Sequence, residues 1–342
     1  MVVNTILRRR GGSTKPATAA NLMAAPRRCT TRLAFVLTLI CSLVAATFSQ
    51  IVLRSDLVLI PVTVRDKQGK YIADLQVEDF NLFDNGKPQP IAFFSSERDP
   101  DRMARPLALA LLLDASRSIS AVLHQQQSAV TSFLNHLGDQ TLVSLISFSQ
   151  NQETLLGFTT DKTEALNAFF RHRRLGGETA IFDALAFALK SLNALSEGER
   201  RKIVVIVSDG LDTASRISYQ DCARLAQEQG IAVYSILIPI YSPYGDRLVA
   251  RRPTKGFIEI AEETGGKFFQ VGTLEDALNP RAKLDLGPVF EAIVEDLRHQ
   301  YYLGFYPPED NHPGFHRIEV RVARKNMKLE LRRRGYTIRS IP

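Results

Sequence analysis

Residues 106–118 read PLALALLLDASRS. A proline opens an apolar run from Leu107 to Leu113, and the run ends on Asp114, with Ser116 and Ser118 following at a spacing of two. A run without polar alternation is what a strand covered on both faces requires. A carboxylate and two hydroxyls at its end have two readings. They are a cap for the helix that follows, or hard oxygen ligands for a cation.

The sequence C-terminal to this stretch gives its setting. In ISAVLHQQQSAVTSFLNHL (119–137), Ile119, Leu123, Val130, Phe133, Leu134 and Leu137 fall near one helical face. TLVSLISFS (141–149) reads as a strand, and DKTEALNAFFRHR (161–173) as a helix capped by Asp161. TAIFDALAFALKSLNAL (179–195) is helical, KIVVIVSDG (202–210) a strand, and SYQDCARLAQEQG (218–230) a helix ending at Gly230. IAVYSILIPI (231–240), GFIEIAEETGG (256–266), KFFQV (267–271) and LGPVFEAIVEDLRHQ (286–300) continue as strand, helix, strand and helix. This alternation over 106–298 predicts an α/β fold with a doubly wound, mostly parallel, Rossmann-like sheet.

The flanks differ. LVLIPVTVRDKQGKYI (57–72) predicts a strand, a turn and a second strand. FNLFDNGKPQPIAFF (80–94) holds the hairpin signal Asp84-Asn85-Gly86, with prolines that suit an edge. After His299, QYYLGFYP, FHRIEVRVARK, KLELRRR and YTIRS are again strand-like. Segments 51–95 and 299–340 are each too small to bury a core alone. We expect them to form one small β-sandwich with the α/β domain inserted between its halves, and 96–105 to act as a linker.

The net charge of +7 does not indicate nucleic acid. Residues 1–50 hold seven basic residues and no acid, and removing them from the 43 leaves 36 basic against 36 acidic. The order of the leader is basic (PRRCTTR), apolar (Leu33–Ala46) and small (TFSQ), which predicts a signal peptide over 1–49 or an uncleaved N-terminal anchor. Met23 is an alternative start. The expected location is periplasmic, cell-envelope or secreted. Cys29 and Cys41 lie in the leader, so only Cys222 remains in the mature chain, where it reads as core.

Ligands in open α/β sheets gather at the carboxyl ends of the strands. Three polar clusters fall there: Asp114-x-Ser116-x-Ser118, LGGETA with Thr179, and VSDGLD with Asp209. Two carboxylates, three hydroxyls and no soft ligand favour Mg²⁺ or Mn²⁺ over Zn²⁺. These residues resemble a von Willebrand factor type A domain, and Asp114, Ser116, Ser118, Thr179 and Asp209 match its metal-ion-dependent adhesion site. GGETAIFDAL, SDGLD and IAEETGGKFF add to the likeness, and the flanks are similar to a bacterial exported subgroup. Glu178 departs from the family, which often has a small or neutral residue there. The resemblance implies a metal-dependent interaction module in which a partner's exposed Asp or Glu completes the cation's coordination.

Rival readings are weighed on the same residues. A haloacid-dehalogenase-like Mg²⁺-dependent phosphohydrolase needs a second Asp two positions after the nucleophile, where this chain has Ser116. A serine hydrolase needs a G-x-S-x-G elbow, which DASRS lacks. A structural envelope protein with a stabilising metal is the non-enzyme alternative. Asp212 reads as a loop stabiliser, and Glu153, Asp183 and Glu197 as solvated or capping groups. His312 and His316 read as a loop tip, the basic C-terminal strands as a solvated face, and YYLGFYP as core. No catalytic residue is expected. Specificity is expected from the loops 149–160 and 211–217, and from the insertion YSPYGDRLVARRPTKG at 241–256 if it lies on the same rim.

Overall fold

The structure is a computed structural model. It describes residues 57–96, 106–116, 119, 122–123, 125–171, 176–195, 200–279, 283–308, 312–331 and 334–338. The leader, the linker from 97 to 105, Ser118, Glu197 and Arg332–Arg333 lie outside these residues.

The first flank supplies β1 (Val58–Asp66), β2 (Phe80–Asp84), β3 (Lys87–Gln89) and β4 (Phe93–Ser96). The α/β part begins with β5 (Leu107–Asp114) and α1 (Gln127–His136). It continues through β6 (Leu142–Phe148), β7 (Gln152–Thr159), α2 (Lys162–Phe170), α3 (Ile181–Asn193), β8 (Arg201–Ser208), α4 (Tyr219–Gln229) and β9 (Ile231–Leu237). Then come β10 (Tyr241–Tyr244), β11 (Arg247–Ala250), α5 (Glu259–Thr264), β12 (Phe268–Gln270), α6 (Leu274–Leu278) and α7 (Gly287–Arg298). The second flank holds β13 (Tyr301–Phe305), β14 (Gly314–Val322), β15 (Met327–Leu331) and β16 (Gly335–Ile338).

The central sheet has the order β12-β9-β8-β5-β6-β7, parallel except for β7. Every residue of β5 is buried. Its leucines at 107, 109, 111 and 113 join the core beneath α1 and α7. Its Ala108 and Ala110 face α3 with Ala184 and Ala188, and these small side chains let the helix approach the sheet closely. The alternation of leucine and alanine in LALAL therefore divides β5 between two helical layers. The chain leaves β5 for β6 on one side and returns to β8 on the other. That is a topological switch point, and it opens the crevice at the carboxyl end of β5 where Asp114 sits.

Two four-stranded sheets form the sandwich, β15-β1-β13-β4 and β16-β14-β2-β3. Each mixes strands from both flanks: Val58 pairs with Phe305, and Leu82 with Val320. Their shared core includes Ile60, Val62, Leu82, Tyr301, Leu303 and Phe305. Asn85 (φ 48) and Gly86 (φ 80) make the expected tight turn, and Pro88 lies on edge strand β3. Truncating the fully buried Phe305 to alanine is expected to destabilise the protein by about 3–5 kcal/mol, read as a lower urea midpoint.

Several expectations change. The segment 149–160 is mostly strand β7, because its partly apolar residues pair antiparallel with β6 at the sheet edge and bury Leu156. The second strand expected near 70–72 is a single bridge between Arg65 and Tyr71. The helix read over 119–137 is interrupted: Ile119, Val122 and Leu123 are helical, the chain turns at Gln125–Gln126, and α1 begins at Gln127. Gln126 is buried at the preceding position, and its side chain bonds the Leu284 carbonyl (2.6 Å) and the Leu286 N–H (2.9 Å). His316 is not at a loop tip. It is buried in β14, with Nδ1 3.2 Å from Asp84 Oδ1 and Nε2 2.8 Å from the His312 carbonyl.

Helix α7 meets the sandwich at a buried carboxylate. Asp296 is fully buried, accepts hydrogen bonds from Tyr71 and Tyr234 hydroxyls (both 2.9 Å), and pairs with Lys267. Lys267 also lies 3.5 Å from Glu330 of β15. Helix, central sheet and both flanks therefore share one polar junction.

Candidate functional site

Four segments converge at the carboxyl ends of the central strands. Parallel register aligns Leu113 with Val207, which places Asp114 beside Ser208 and Asp209. The Asp114 Oδ2 accepts a hydrogen bond from Ser208 Oγ at 2.6 Å, and Oδ1 accepts one from the Ser116 N–H at 2.8 Å. The Asp209 Oδ1 accepts the Leu211 N–H at 2.9 Å. Main-chain bonds knit the other loops to these. Ala115 N–H reaches the Phe148 carbonyl, Ala180 N–H the Ser149 carbonyl, and Thr213 N–H the Thr179 carbonyl (each 2.8 Å). Thr213 Oγ1 in turn accepts the Thr179 N–H at 2.9 Å.

Asp114, Thr179 and Asp209 are all buried, with Asp114 at 0% exposure. Burial pushes the Asp114 carboxyl up to about 6, against hydrogen bonds from Ser208 and Ser116 and with a further push from Asp209. Burial also raises Asp209, and the charge of Arg251 offsets part of that rise. Two desolvated carboxylates that repel each other form a poor site for the empty charged state. A divalent cation would compensate both. The donors are oxygen only, which suits a hard cation. Among the described residues, no group of three His, Cys, Asp or Glu side chains is placed to hold a metal, so hydroxyls are needed to complete a ligand set. The residues fit Mg²⁺ or Mn²⁺.

The structure brings together Asp114, Ser116, Thr179 and Asp209 as neighbouring loops; Ser118 is outside the described residues. Glu178 is exposed beside them. Asp212 stabilises its loop: it accepts from the Ser215 N–H (3.0 Å), the Ser215 hydroxyl (2.5 Å) and the Phe182 N–H (3.2 Å). Asp183 is not merely solvated, because its Oδ1 accepts the Arg216 and Ile217 N–H groups (3.0 and 2.9 Å). Ser208 and Arg251 act on the site and were not singled out in the sequence. Ser208 stood in VSDGLD as the last residue of a strand, and Arg251 lay in an insertion of unassigned structure.

Gly210 shows how tightly the site loop is built. Its φ is +75°, and a Cβ there would lie 2.7 Å from Pro253 Cβ. Gly210→Ala is expected to displace the loop and weaken metal binding at least about 10-fold by calorimetry.

Cys222 is buried, and its Sγ donates to the Phe182 carbonyl at 3.3 Å. Burial pushes the thiol up to about 12, so it is not a nucleophile at neutral pH. Native protein at pH 8 is expected to leave Cys222 unlabelled by iodoacetamide in mass spectrometry, with labelling appearing only on unfolding.

The family model of the von Willebrand factor type A domain matches residues 108–280, which is 173 of the 342 residues. The chain belongs to that family. Its similarities to solved structures are distant. BatB from Bacteroides thetaiotaomicron is 19% identical over 56% of this chain and 97% of that one, with a TM-score of 0.42. Proximal thread matrix protein 1 from the mussel byssus, with zinc in its own MIDAS motif, is 18% identical over 58% and 47% of the two chains, with a TM-score of 0.44. A von Willebrand factor type A protein from Catenulispora acidiphila is 12% identical over 77% and 76%, also with a TM-score of 0.44. No curated protein matches the sequence. Among the described residues, no helix is long and apolar enough to cross a membrane.

Proposed function

We propose that this chain is an exported, metal-dependent protein-binding module rather than an enzyme. Asp114, Ser116, Ser118, Thr179 and Asp209 would hold one Mg²⁺ or Mn²⁺, some directly and some through water. The observation that carries the reading is the pair of buried, mutually repelling carboxylates at the switch point of the sheet, ringed by hydroxyls. Hydroxyl ligands bring no negative charge. The cation therefore stays electrophilic and supplies one thing when bound, an attachment point for a carboxylate of a partner protein.

The protein's own groups set the orientation. Ser208 fixes the Asp114 carboxylate in its plane, the Leu211 N–H fixes Asp209, and Asp212 with Ser215 pins the start of α3 against the site. Residues 211–217 and the insertion at 241–256 would add specificity around the anchor. Domain limits of 51–95, 106–298 and 299–340, with a leader over 1–49, complete the proposed organisation.

Capture from envelope extract tests the function. A partner retained in Mg²⁺, and lost both with EDTA and with Asp209→Ala, is the expected result. A partner retained throughout would favour a structural role for the metal, and phosphatase turnover abolished by Asp114→Asn would overturn the non-enzyme reading. A reporter fused after residue 60 is expected to be active only outside the cytoplasm.

A further inference from the structure

The insertion at 241–256 folds into the hairpin β10–β11, turning at Gly245 and Asp246, and among the described residues it joins no other sheet. It concentrates charge in a body that is otherwise balanced. Arg247, Arg251, Arg252 and Lys255 stand against Asp246 alone. All four cations are exposed, and among the described residues none makes an ion pair or a side-chain hydrogen bond. Tyr244 is 80% exposed and Val249 49%. Beside β11 lies α6, whose Leu274 and Leu278 are also exposed, and whose Asp276 is committed to its own capping box with Thr273. A hairpin alone is marginal in water, and exposed Tyr244, Val249, Leu274 and Leu278 beside solvated cations give a surface with both apolar and basic character.

The hairpin is built onto the metal loop. At its base the Thr254 N–H donates to the Gly210 carbonyl at 2.8 Å, and Thr254 Oγ1 accepts the Asp212 N–H at 2.9 Å. Pro253 fills the space that a side chain at Gly210 would occupy.

We propose that the hairpin and residues 251–255 form a basic subsite beside the metal, and that the occupant is an extended, polyacidic protein segment. This rests on the metal-dependent reading above. One carboxylate of the segment meets the cation, the next ones meet Arg247, Arg251, Arg252 and Lys255, and an apolar residue covers Tyr244 and Val249. The four residues of each hairpin strand run about 13 Å, so the segment spans roughly four to six residues. A single-carboxylate ligand would use only the metal. The charge sign decides against a basic partner.

The test uses two labelled eight-residue peptides, one with four Asp and one with a single Asp among Ser, measured by fluorescence anisotropy in Mg²⁺ at fixed salt. The four-Asp peptide is expected to bind the protein at least about 10-fold tighter, with a steeper loss on adding salt. Arg247→Glu/Arg252→Glu/Lys255→Glu is expected to erase that difference. A variant with glutamine at the same three positions keeps side-chain size and should erase most of it. Mn²⁺ calorimetry on the same proteins reports the metal separately. Equal affinities for the two peptides while Mn²⁺ still binds would overturn the subsite and leave the metal reading standing. Absence of Mn²⁺ binding in the wild type would instead remove the reading on which the subsite depends. Tighter binding of phosphatidylglycerol vesicles than of the four-Asp peptide, lost in the triple variant, would make the surface a membrane contact and overturn the proposal.

Discussion

Asp114→Ala is expected to lower Mn²⁺ affinity by about 100-fold or more, a loss larger than that usual for groups that only support a ligand. Asp114→Asn separates metal from fold. It keeps the shape of the side chain and removes a buried charge that burial disfavours. The wild-type carboxyl titrates near 6 in the folded protein, against about 3.9 for an ordinary aspartate. A raised carboxyl binds its proton more tightly in the folded chain than in the unfolded one. Below about pH 4 both states are protonated and there is no penalty. Between about 4 and 6 the metal-free protein loses stability as pH rises, and above that the full cost of roughly 3 kcal/mol remains. Metal-free wild type is therefore expected to melt higher at pH 5 than at pH 7.5, and Asp114→Asn to shrink that difference, leaving the share that comes from burial of Asp209. Added Mn²⁺ should reverse the trend in the wild type, because the cation binds the ionised form, and should leave the variant unchanged. Thermal melts at the two pH values with and without Mn²⁺ read all of this.

The second large effect belongs to the junction at Asp296. Lys267→Met removes the cation from a carboxylate at 0% exposure that also accepts from the Tyr71 and Tyr234 hydroxyls. Breaking a buried pair this way costs about 3–5 kcal/mol. Asp296→Asn leaves Lys267 beside Glu330 at 3.5 Å and partly in solvent, so its cost is expected to be smaller. The asymmetry is the informative part, because a surface ion pair would show little loss from either side. Lys267→Met should also loosen the sandwich, since Tyr71 and Glu330 belong to the flanks. Denaturant melts give the ranking, and hydrogen exchange in β1 and β15 gives the location.

The parts of the fold that the sequence disclosed are those where burial is unambiguous. LALALLL, KIVVIVS and IAVYSIL are continuously apolar because each lies between two helical layers, and nothing exposed would carry that pattern. Asp114, Thr179 and Asp209 stood out because each interrupts an apolar element at its end. The sandwich was legible through Asp84-Asn85-Gly86 and through the shortage of core in either flank. Strand β7 was hidden because an edge strand buries little, and in this one only Leu156 is buried. The hairpin β10–β11 was hidden for the same reason, since YSPYGDRLVA has no buried face. The break at Gln126 could not be read because a polar residue inside an apolar period looks like a solvated position. Here the amide is buried and bridges 126 to 284–286. Ser208 was obscured by its place in a strand, although its hydroxyl sets the orientation of Asp114.

The metal-dependent reading places one cation at the carboxyl end of β5. Crystals grown with Mn²⁺ and measured at a wavelength where manganese scatters anomalously test it most directly. One strong peak is expected at the carboxyl end of β5, about 2.1 Å from its nearest oxygens, with Ser116, Ser118, Thr179, Asp114 and Asp209 supplying the protein ligands directly or through water. No peak there, or a peak held by other residues, would contradict it.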